Sequence, residues 1–256
     1  MNKVEIVDNQ TRAYSICFVQ DFALFKNYSI LIFGNNYHIL NNGFIKEQKD
    51  LRTIRESIDS ISSYFLSKQR NACISILDDN LIAHQELLTQ GYTRKSQDAD
   101  IFFVLDIKKI PISVTEVKQE FESLELKNLE EFERYFSTHL HEYSATFLQN
   151  LKKAFAQSVV PYHFFVISDA NINVGLTTLA VIGNAAYFMS AQVDTSYRRL
   201  GLYSLMNAAR ANEAKSKGCE YAVIETDLEN KATCGYANKI GPEQSFQRYF
   251  YSKEVR

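Results

Sequence analysis

The sequence of 256 residues contains no Trp, only three Pro and only nine Gly. So few prolines and glycines exclude a collagen-like chain and a Pro-rich linker. Hydrophobic residues make up 46% of the chain, which is typical of globular domains and excludes wholesale disorder. The length therefore predicts one large domain or two small ones of roughly 100–200 residues each.

Long apolar runs are also missing. No run approaches the roughly 20 residues that a transmembrane helix needs, and the opening MNKVEIVDNQ lacks the apolar core of a signal peptide. The four cysteines show neither CxxC spacing nor metal-ligand spacing to a histidine. We therefore expect a cytoplasmic protein with free thiols, no metal cofactor and no membrane partner.

An excess of basic charge is absent as well. The chain has 28 Lys and Arg against 30 Asp and Glu, a formal net charge of -2. Binding to a phosphate backbone needs clustered cations, so nucleic-acid binding is disfavoured as the main activity.

A domain boundary is predicted in residues 106–116, DIKKIPISVTE, where a proline follows the strand pattern IFFVLDI. The predicted domains are 1–110 and 111–256. The second opens with a strand over 112–117, and helices over 128–140 and 143–159 follow from apolar positions three or four apart.

The middle of the second domain predicts an antiparallel meander. Three segments rich in β-branched and aromatic residues, 162–168, 174–182 and 185–193, are joined by short turn-like sequences. Helical spacing then begins near Leu202. A strand at 221–227, a short helix and a final strand at 245–252 complete the domain.

The loop from Val193 to Tyr203 carries the clearest chemical signal. Arg198, Arg199 and Gly201 lie where a helix begins, so unpaired first-turn N–H groups and the positive end of the helix dipole are exposed there. A glycine lets a ligand approach the backbone closely. The pattern predicts an anion site suited to a phosphate or pyrophosphate, the alternative being an ordinary turn with surface arginines.

This order of elements, with the loop at 198–203 and the helix Asn-x5-Tyr-x4-Gly at 230–241, resembles the GNAT superfamily of N-acetyltransferases across about residues 112–252. One departure is Tyr203, which replaces the small residue that usually ends the loop motif. The resemblance implies an α/β (α+β) fold, with a mixed, mostly antiparallel central sheet flanked by helices and a smaller α/β N-terminal unit.

The resemblance also implies acetyl-CoA as co-substrate. Gln192 and Val193 would bond the pantetheine arm through the main chain, with the Val193 N–H polarising the thioester carbonyl. Asn230 would contact the pantetheine, and Tyr236 would protonate the departing thiolate. The pyrophosphate would be held by the loop residues Arg198, Arg199, Leu200, Gly201, Leu202 and Tyr203.

The general base is less directly indicated, because the strand segment 189–193 lacks the acid that the family often places there. Glu225 on the next strand is the candidate base, acting through water, and a salt-bridged surface residue is the alternative. Tyr236 also has a structural alternative: Ala232 and Ile240 share its helix face, which would point into the core.

The N-terminal half repeats part of this sequence pattern. Residues 74–92 and 223–241 both predict a strand with an acidic end, an Asn and a helix that ends at Gly, with Asn and Gly eleven residues apart in each. We expect a second, reduced GNAT-like unit that does not bind CoA. Coincidental strand–helix–strand similarity is the alternative.

The expected function is transfer of an acetyl or acyl group from acetyl-CoA to an amine acceptor, a small molecule or a peptide, by direct attack in a ternary complex. His141 and Tyr143 are candidates for the acceptor site, with solvated loop residues as the alternative. A non-catalytic CoA-binding or regulatory module and an aminoacyl-tRNA-dependent tandem transferase stay open, as does a homodimer.

Overall fold

The computed structural model divides the chain into two compact units. Unit 1 comprises Met1–Phe102, Thr226–Lys231 and Ser245–Arg256, and unit 2 comprises Phe103–Glu225 and Ala232–Gln244. The C-terminal strand therefore groups with the N-terminal half. The structure describes residues 1–17, 19–33, 41–112, 121–127, 130–131, 160, 162–170 and 172–253.

Unit 1 is an α/β unit whose strands lie in the order β1-β2-β3-β4-β11-β5. Strand β5 contributes its residues up to Phe102 here, and β11 pairs antiparallel with β4. The elements are α1 (Lys3–Cys17), β1 (Val19–Leu24), β2 (Tyr28–Phe33), β3 (Asn42–Ile45), α2 (Leu51–Ser67), β4 (Ala72–Leu77), α3 (Leu81–Thr89), β5 (Thr93–Asp106) and β11 (Gln244–Lys253).

The core of unit 1 forms where α2 packs on the sheet. Its buried apolar residues recur every three or four positions, as an amphipathic helix requires: Ile54, Ile58, Ile61 and Phe65. Gly43 on β3 permits this close packing, because a Cβ there would stand 2.4 Å from the Ile61 side chain. Strands β3 and β4 are parallel.

Unit 2 has the strand order β5-β10-β9-β8-β7-β6, with only the end of β5 included. Pairs β6–β7, β7–β8 and β8–β9 are antiparallel and β9–β10 is parallel, which confirms the mixed, mostly antiparallel sheet and the meander. The elements are β6 (Phe121–Leu126), β7 (Tyr162–Asp169), β8 (Ile172–Ile182), β9 (Ala185–Val193), α4 (Leu202–Ser216), β10 (Tyr221–Asp227) and α5 (Lys231–Ile240).

Several predicted features cannot be compared with the structure. His141, Tyr143 and the helix over 143–159 lie outside the described residues, and the strand over 112–117 and the helix over 128–140 lie almost entirely outside them. Strand β6 was not predicted. Among the described helices, none combines the length and apolar character that a membrane span requires.

The same order of elements occurs in both units. Strands β1, β2 and β3, helix α2, strand β4 and helix α3 repeat the order of β7, β8, β9, α4, β10 and α5. Asn80 caps α3 by accepting a hydrogen bond from the Ala83 N–H (3.1 Å), and Gly91 follows that helix with φ +81°. This order of elements agrees with the repeated pattern that the sequence shows at 74–92 and 223–241.

In unit 1 the start of α2 is closed by the chain's own carboxylates. Glu47 Oε1 accepts from the N–H groups of residues 48–50 at 2.8–3.2 Å. The Asp50 carboxylate accepts from the N–H groups of Arg52 (3.2 Å) and Thr53 (3.3 Å). Backbone hydrogen bonds lower the pKa of Glu47, and the Thr53 hydroxyl contributes most to lowering the pKa of Asp50.

We expect Glu47→Ala to lower the free energy of unfolding of unit 1 by about 1 kcal/mol, because three amides lose their acceptor. Denaturant unfolding measures this. The folded-state pKa is below the ordinary value of 4.5, so the stabilisation is present above that pH and is lost as pH falls below it. Glu56→Ala on exposed α2 surface is the control, expected within about 0.5 kcal/mol of wild type. Equal effects of the two variants would contradict the capping role.

Candidate active site

The parallel pairing between β9 and β10 of unit 2 ends before either strand ends, and we call this unpaired stretch the gap. Their parallel pairing runs from Tyr221 opposite Ala185 to Ile224 opposite Phe188. Both strands continue past this last pair, β9 as far as Val193. Backbone groups beyond the pair are therefore placed to bond a ligand instead of the neighbouring strand.

A β-bulge in β9 lies at the start of this gap. Thr177 pairs with Ala191 and Thr178 with Met189, which leaves Ser190 as the extra residue. Ser190 has φ +40°, an uncommon conformation for a residue with a side chain. A bulge of this kind bends its strand and locally ends regular pairing.

The loop after β9 turns back on the strand end. Asp194 begins a short 3-10 helix, Thr195–Tyr197, and its side chain accepts from an N–H of that helix at 2.8 Å. Arg198 Nε then donates to the Val193 carbonyl at 3.3 Å. The structure thus brings together two of the predicted site residues, Val193 and Arg198.

The start of α4 leaves amides open. Arg199 (φ +66°) and Gly201 (φ +86°) are both left-handed, and the Gly201 carbonyl accepts from the N–H groups of residues 204 and 205. Within the part of the chain that the structure describes, the N–H groups of residues 200–203 have no backbone acceptor. In contrast with the start of α2, the N-cap residue here is Gly201, which has no side chain to cap the helix. Open amides at the positive end of a helix dipole are features that anion sites use.

Apolar side chains hold this loop to the sheet. Leu202 is buried and Leu200 is half-buried, and both join the cluster formed by Ile167, Val174, Val193, Met206 and their neighbours. Gly175 on β8 permits the approach of α4, because a Cβ there would stand 2.3 Å from Met206 Cε. The loop backbone is therefore positioned by packing beneath it.

Two tyrosines and an arginine meet beside the loop. The rings of Tyr203 on α4 and Tyr236 on α5 are 5.4 Å apart and nearly perpendicular, so the bulky residue of the loop motif packs against the predicted acid. Burial raises the pKa of Tyr236 to about 12, against the opposing attraction of Arg210. The hydroxyl is therefore protonated, and able to donate, throughout the neutral range.

The orientation of α5 differs from the expectation. Its buried residues are Thr233 and Ala237, whereas Ala232 is exposed and Tyr236 and Ile240 are only half-buried. This face is therefore only partly turned to the core, and the ring contact with Tyr203 keeps a structural role open for Tyr236 beside the predicted catalytic one. Tyr236 lies at the border of the core, beside Tyr203.

The remaining predicted residues have the following positions. Glu225 is half-buried on β10, directly after the last parallel pair. Gln192 is exposed and pairs with Leu176 of β8. Asn230 belongs to unit 1, where it is exposed and its Nδ2 donates to Thr226 Oγ1 at 3.0 Å.

Sequence reasoning missed Arg210, which is 1% exposed. A signal was available, since Tyr203, Asn207 and Arg210 recur four and three residues apart and so form one polar stripe on a helix. The bulge at Ser190 had no comparable signal.

A separate cluster of charged side chains connects β6 and β7 with α4. Glu125, His163 and Glu213 place ligand-type atoms within 4.8 Å of one another, beside a pocket of about 310 Å³ that both glutamates line. Lys127 and Lys217 already bind the two carboxylates. Burial lowers the pKa of His163, which favours a neutral imidazole in a charge-balanced network.

Comparison with known proteins identifies the fold. No protein-family model and no curated protein matches the sequence. Solved structures do match: a GCN5-related N-acetyltransferase from Kribbella flavida is 13% identical with a TM-score of 0.68, covering 99% of this chain and 96% of that one. The chain has the GNAT fold. Two further GNAT structures extend the likeness.

The first is a tandem GNAT protein from the clavulanic acid biosynthesis pathway, 10% identical with a TM-score of 0.63, covering 90% of this chain and 79% of that one. The second is a GCN5-related N-acetyltransferase from Sphaerobacter thermophilus, 12% identical with a TM-score of 0.61, covering 93% of this chain and 83% of that one. The GNAT fold therefore extends over nearly the whole chain, including unit 1.

Proposed function

We propose that unit 2 is an N-acyltransferase that transfers an acetyl or other acyl group from its CoA thioester to an amine. The observation that carries this is the gap between β9 and β10, because β9 leads from it through a loop held on Val193 by Arg198 into the uncapped start of α4. A slot for the extended pantetheine arm and an anion site for the pyrophosphate of CoA would then lie at the two ends of one loop.

Donor binding uses the loop backbone. The N–H groups of residues 200–203 would receive the pyrophosphate oxygens, with Gly201 allowing close approach and Arg198 and Arg199 adding positive charge. The main chain of Gln192 and Val193 would bond the pantetheine arm along the gap. The near-neutral net charge of the chain is consistent with a ligand that is bound by one local set of amides.

Transfer requires two proton movements. The acceptor nitrogen attacks the thioester carbonyl carbon while the Val193 N–H stabilises the developing oxyanion. As the C–S bond breaks, Tyr236 gives its proton to the CoA sulfur. The amine loses a proton through water to Glu225, which lies on β10 at the gap. The products are an amide and free CoA.

We further propose that unit 1 does not bind CoA. The amides at the start of α2 already bond Glu47 and Asp50, so a phosphate would have to displace two carboxylates. The chain would then have a single site for the CoA donor, and this site would lie in unit 2.

A turnover assay tests the proposal. Purified protein is incubated with acetyl-CoA and a panel of amines that includes diamines, amino sugars and peptides, and free CoA thiol is measured together with the acylated product by mass spectrometry. We expect turnover with at least one amine. Acetyl-CoA binding without turnover across the panel would favour the regulatory module, and tight tRNA binding would favour the aminoacyl-tRNA-dependent transferase.

A further inference from the structure

Arg210 is a cation enclosed in the core of unit 2. Its side chain is 1% exposed, and the guanidinium lies 4.5 Å from the centre of the Phe188 ring. Nη1 donates to the carbonyls of Met189 (3.1 Å) and Thr178 (3.5 Å), and Nη2 donates to Asn207 Oδ1. Burial lowers the pKa of Arg210 to about 10, so the group stays charged at neutral pH.

These contacts surround the bulge in β9. Phe188 forms the last parallel pair with β10, Met189 is the next residue, and Ser190 is the bulged residue with φ +40°. The Met189 carbonyl accepts from both Arg210 and the Thr178 hydroxyl (3.0 Å). A left-handed conformation in a residue with a side chain needs compensating interactions, and these two donors supply them at the adjacent peptide.

A contribution to folding stability alone does not explain why an arginine is buried at this position. A buried charge is often replaceable by an apolar residue of similar volume without loss of stability. The site also leaves two polar groups unsatisfied, since within the described residues neither Asn207 Nδ2 nor Arg210 Nε has a hydrogen-bond acceptor. Positions that break a packing rule in this way are commonly functional.

We propose that Arg210 is a positioning residue that holds the β9 bulge, and so keeps the gap between β9 and β10 open for the thioester. Its importance for turnover rests on the proposed function, whereas its action on β9 does not. The same guanidinium interacts electrostatically with Tyr203 and Tyr236. One buried cation thus acts on both the gap and the predicted acid.

Hydrogen exchange measured by mass spectrometry tests the action on β9 in the full chain without any substrate. In Arg210→Met we expect amides of 189–193 to exchange at least about 10-fold faster, while those of 185–188, which stay paired with β10, change little. Arg210→Lys, which keeps a cation and a donor, should give an intermediate result. Unchanged exchange at 189–193 in both variants would overturn the proposal.

Ala214→Gly is the matched control, because Ala214 is also buried on α4 and its replacement weakens the helix by about 1 kcal/mol. It should not speed exchange at 189–193 selectively. If it reproduces the Arg210→Met pattern, general loosening of α4 explains the effect and the proposal fails.

The kinetic arm separates this proposal from the proposed function. We expect Arg210→Met to lower kcat by about 30–100-fold, with a change of less than about 3-fold in KM for acetyl-CoA, because a small displacement of the gap misaligns the thioester. Arg210→Lys should recover part of the kcat. If the wild-type protein shows no turnover, only the proposed function is contradicted. If the Arg210→Met variant is fully active, the proposed role of Arg210 is contradicted.

Discussion

Tyr236→Phe is expected to lower kcat for acyl transfer by about 10²–10³-fold, with little change in KM for acetyl-CoA, because only the proton donor to the leaving sulfur is removed. The ring is kept, so its packing against Tyr203 survives. With its pKa raised to about 12, Tyr236 stays protonated over the working range of the assay. The kcat of the wild type should therefore show no loss from this group between about pH 7 and pH 10.

Steady-state kinetics with an amine identified in the turnover assay measure this effect. Tyr64→Phe, a partly buried tyrosine on α2 of unit 1, is the matched control and should keep wild-type kcat. A Tyr236→Phe variant with wild-type kcat would remove Tyr236 as the acid and leave the donor site untouched.

Gly201→Ala is expected to weaken acetyl-CoA binding by about 100-fold. Gly201 has φ +86°, so a side chain strains the turn and also stands where the pyrophosphate must approach the open amides. Gly218 at the other end of α4 offers a matched control, because its φ is +76° and Gly218→Ala carries a similar backbone strain. Only the change at Gly201 should alter affinity.

Isothermal titration of both variants with acetyl-CoA makes the comparison, at a temperature where circular dichroism shows both folded. Comparable affinity losses in Gly201→Ala and Gly218→Ala would mean that strain in α4, and not the loop, governs binding. Wild-type affinity in Gly201→Ala would place the phosphate site elsewhere.

Helices α2 and α3 of unit 1 correspond in the order of elements to α4 and α5 of unit 2, but the side-chain contacts within the two helix pairs differ. In unit 1, Glu86 on α3 is buried and forms an ion pair with Arg55 on α2 at 3.0 Å, and Arg55 holds the pKa of that carboxyl below its usual range. In unit 2, Tyr236 on α5 instead packs against Tyr203 on α4. A satisfied ion pair is suited to fastening two helices, whereas a protonated hydroxyl beside a gap can act on a ligand.

Sequence patterns predicted the parts of unit 2 that depend on local periodicity. The strands at 162–169, 172–182, 185–193 and 221–227 and helix α4 follow from alternation or helical spacing, and the loop motif follows from its residue types. Strand β6 was not predicted from the sequence because only one of its six residues is buried, so no clear apolar alternation marks it.

The features that set the site depend on tertiary contacts. An arginine in a helix is normally read as solvent-facing, and the burial of Arg210 follows only once α4 lies against β8 and β9. The bulge at Ser190 is a register shift between two strands, which neither strand encodes alone. The pairing of β11 with β4 likewise joins segments far apart in the chain.

Isothermal titration of the wild-type protein with acetyl-CoA tests the central claim most directly, because it asks whether unit 2, and unit 2 alone, has a working donor site. The uncapped start of α4 and the carboxylate-filled start of α2 predict saturable binding of one acetyl-CoA per chain, weakened about 100-fold in Gly201→Ala and unchanged in Glu47→Ala. Absence of binding, or two equivalent sites per chain, would contradict it.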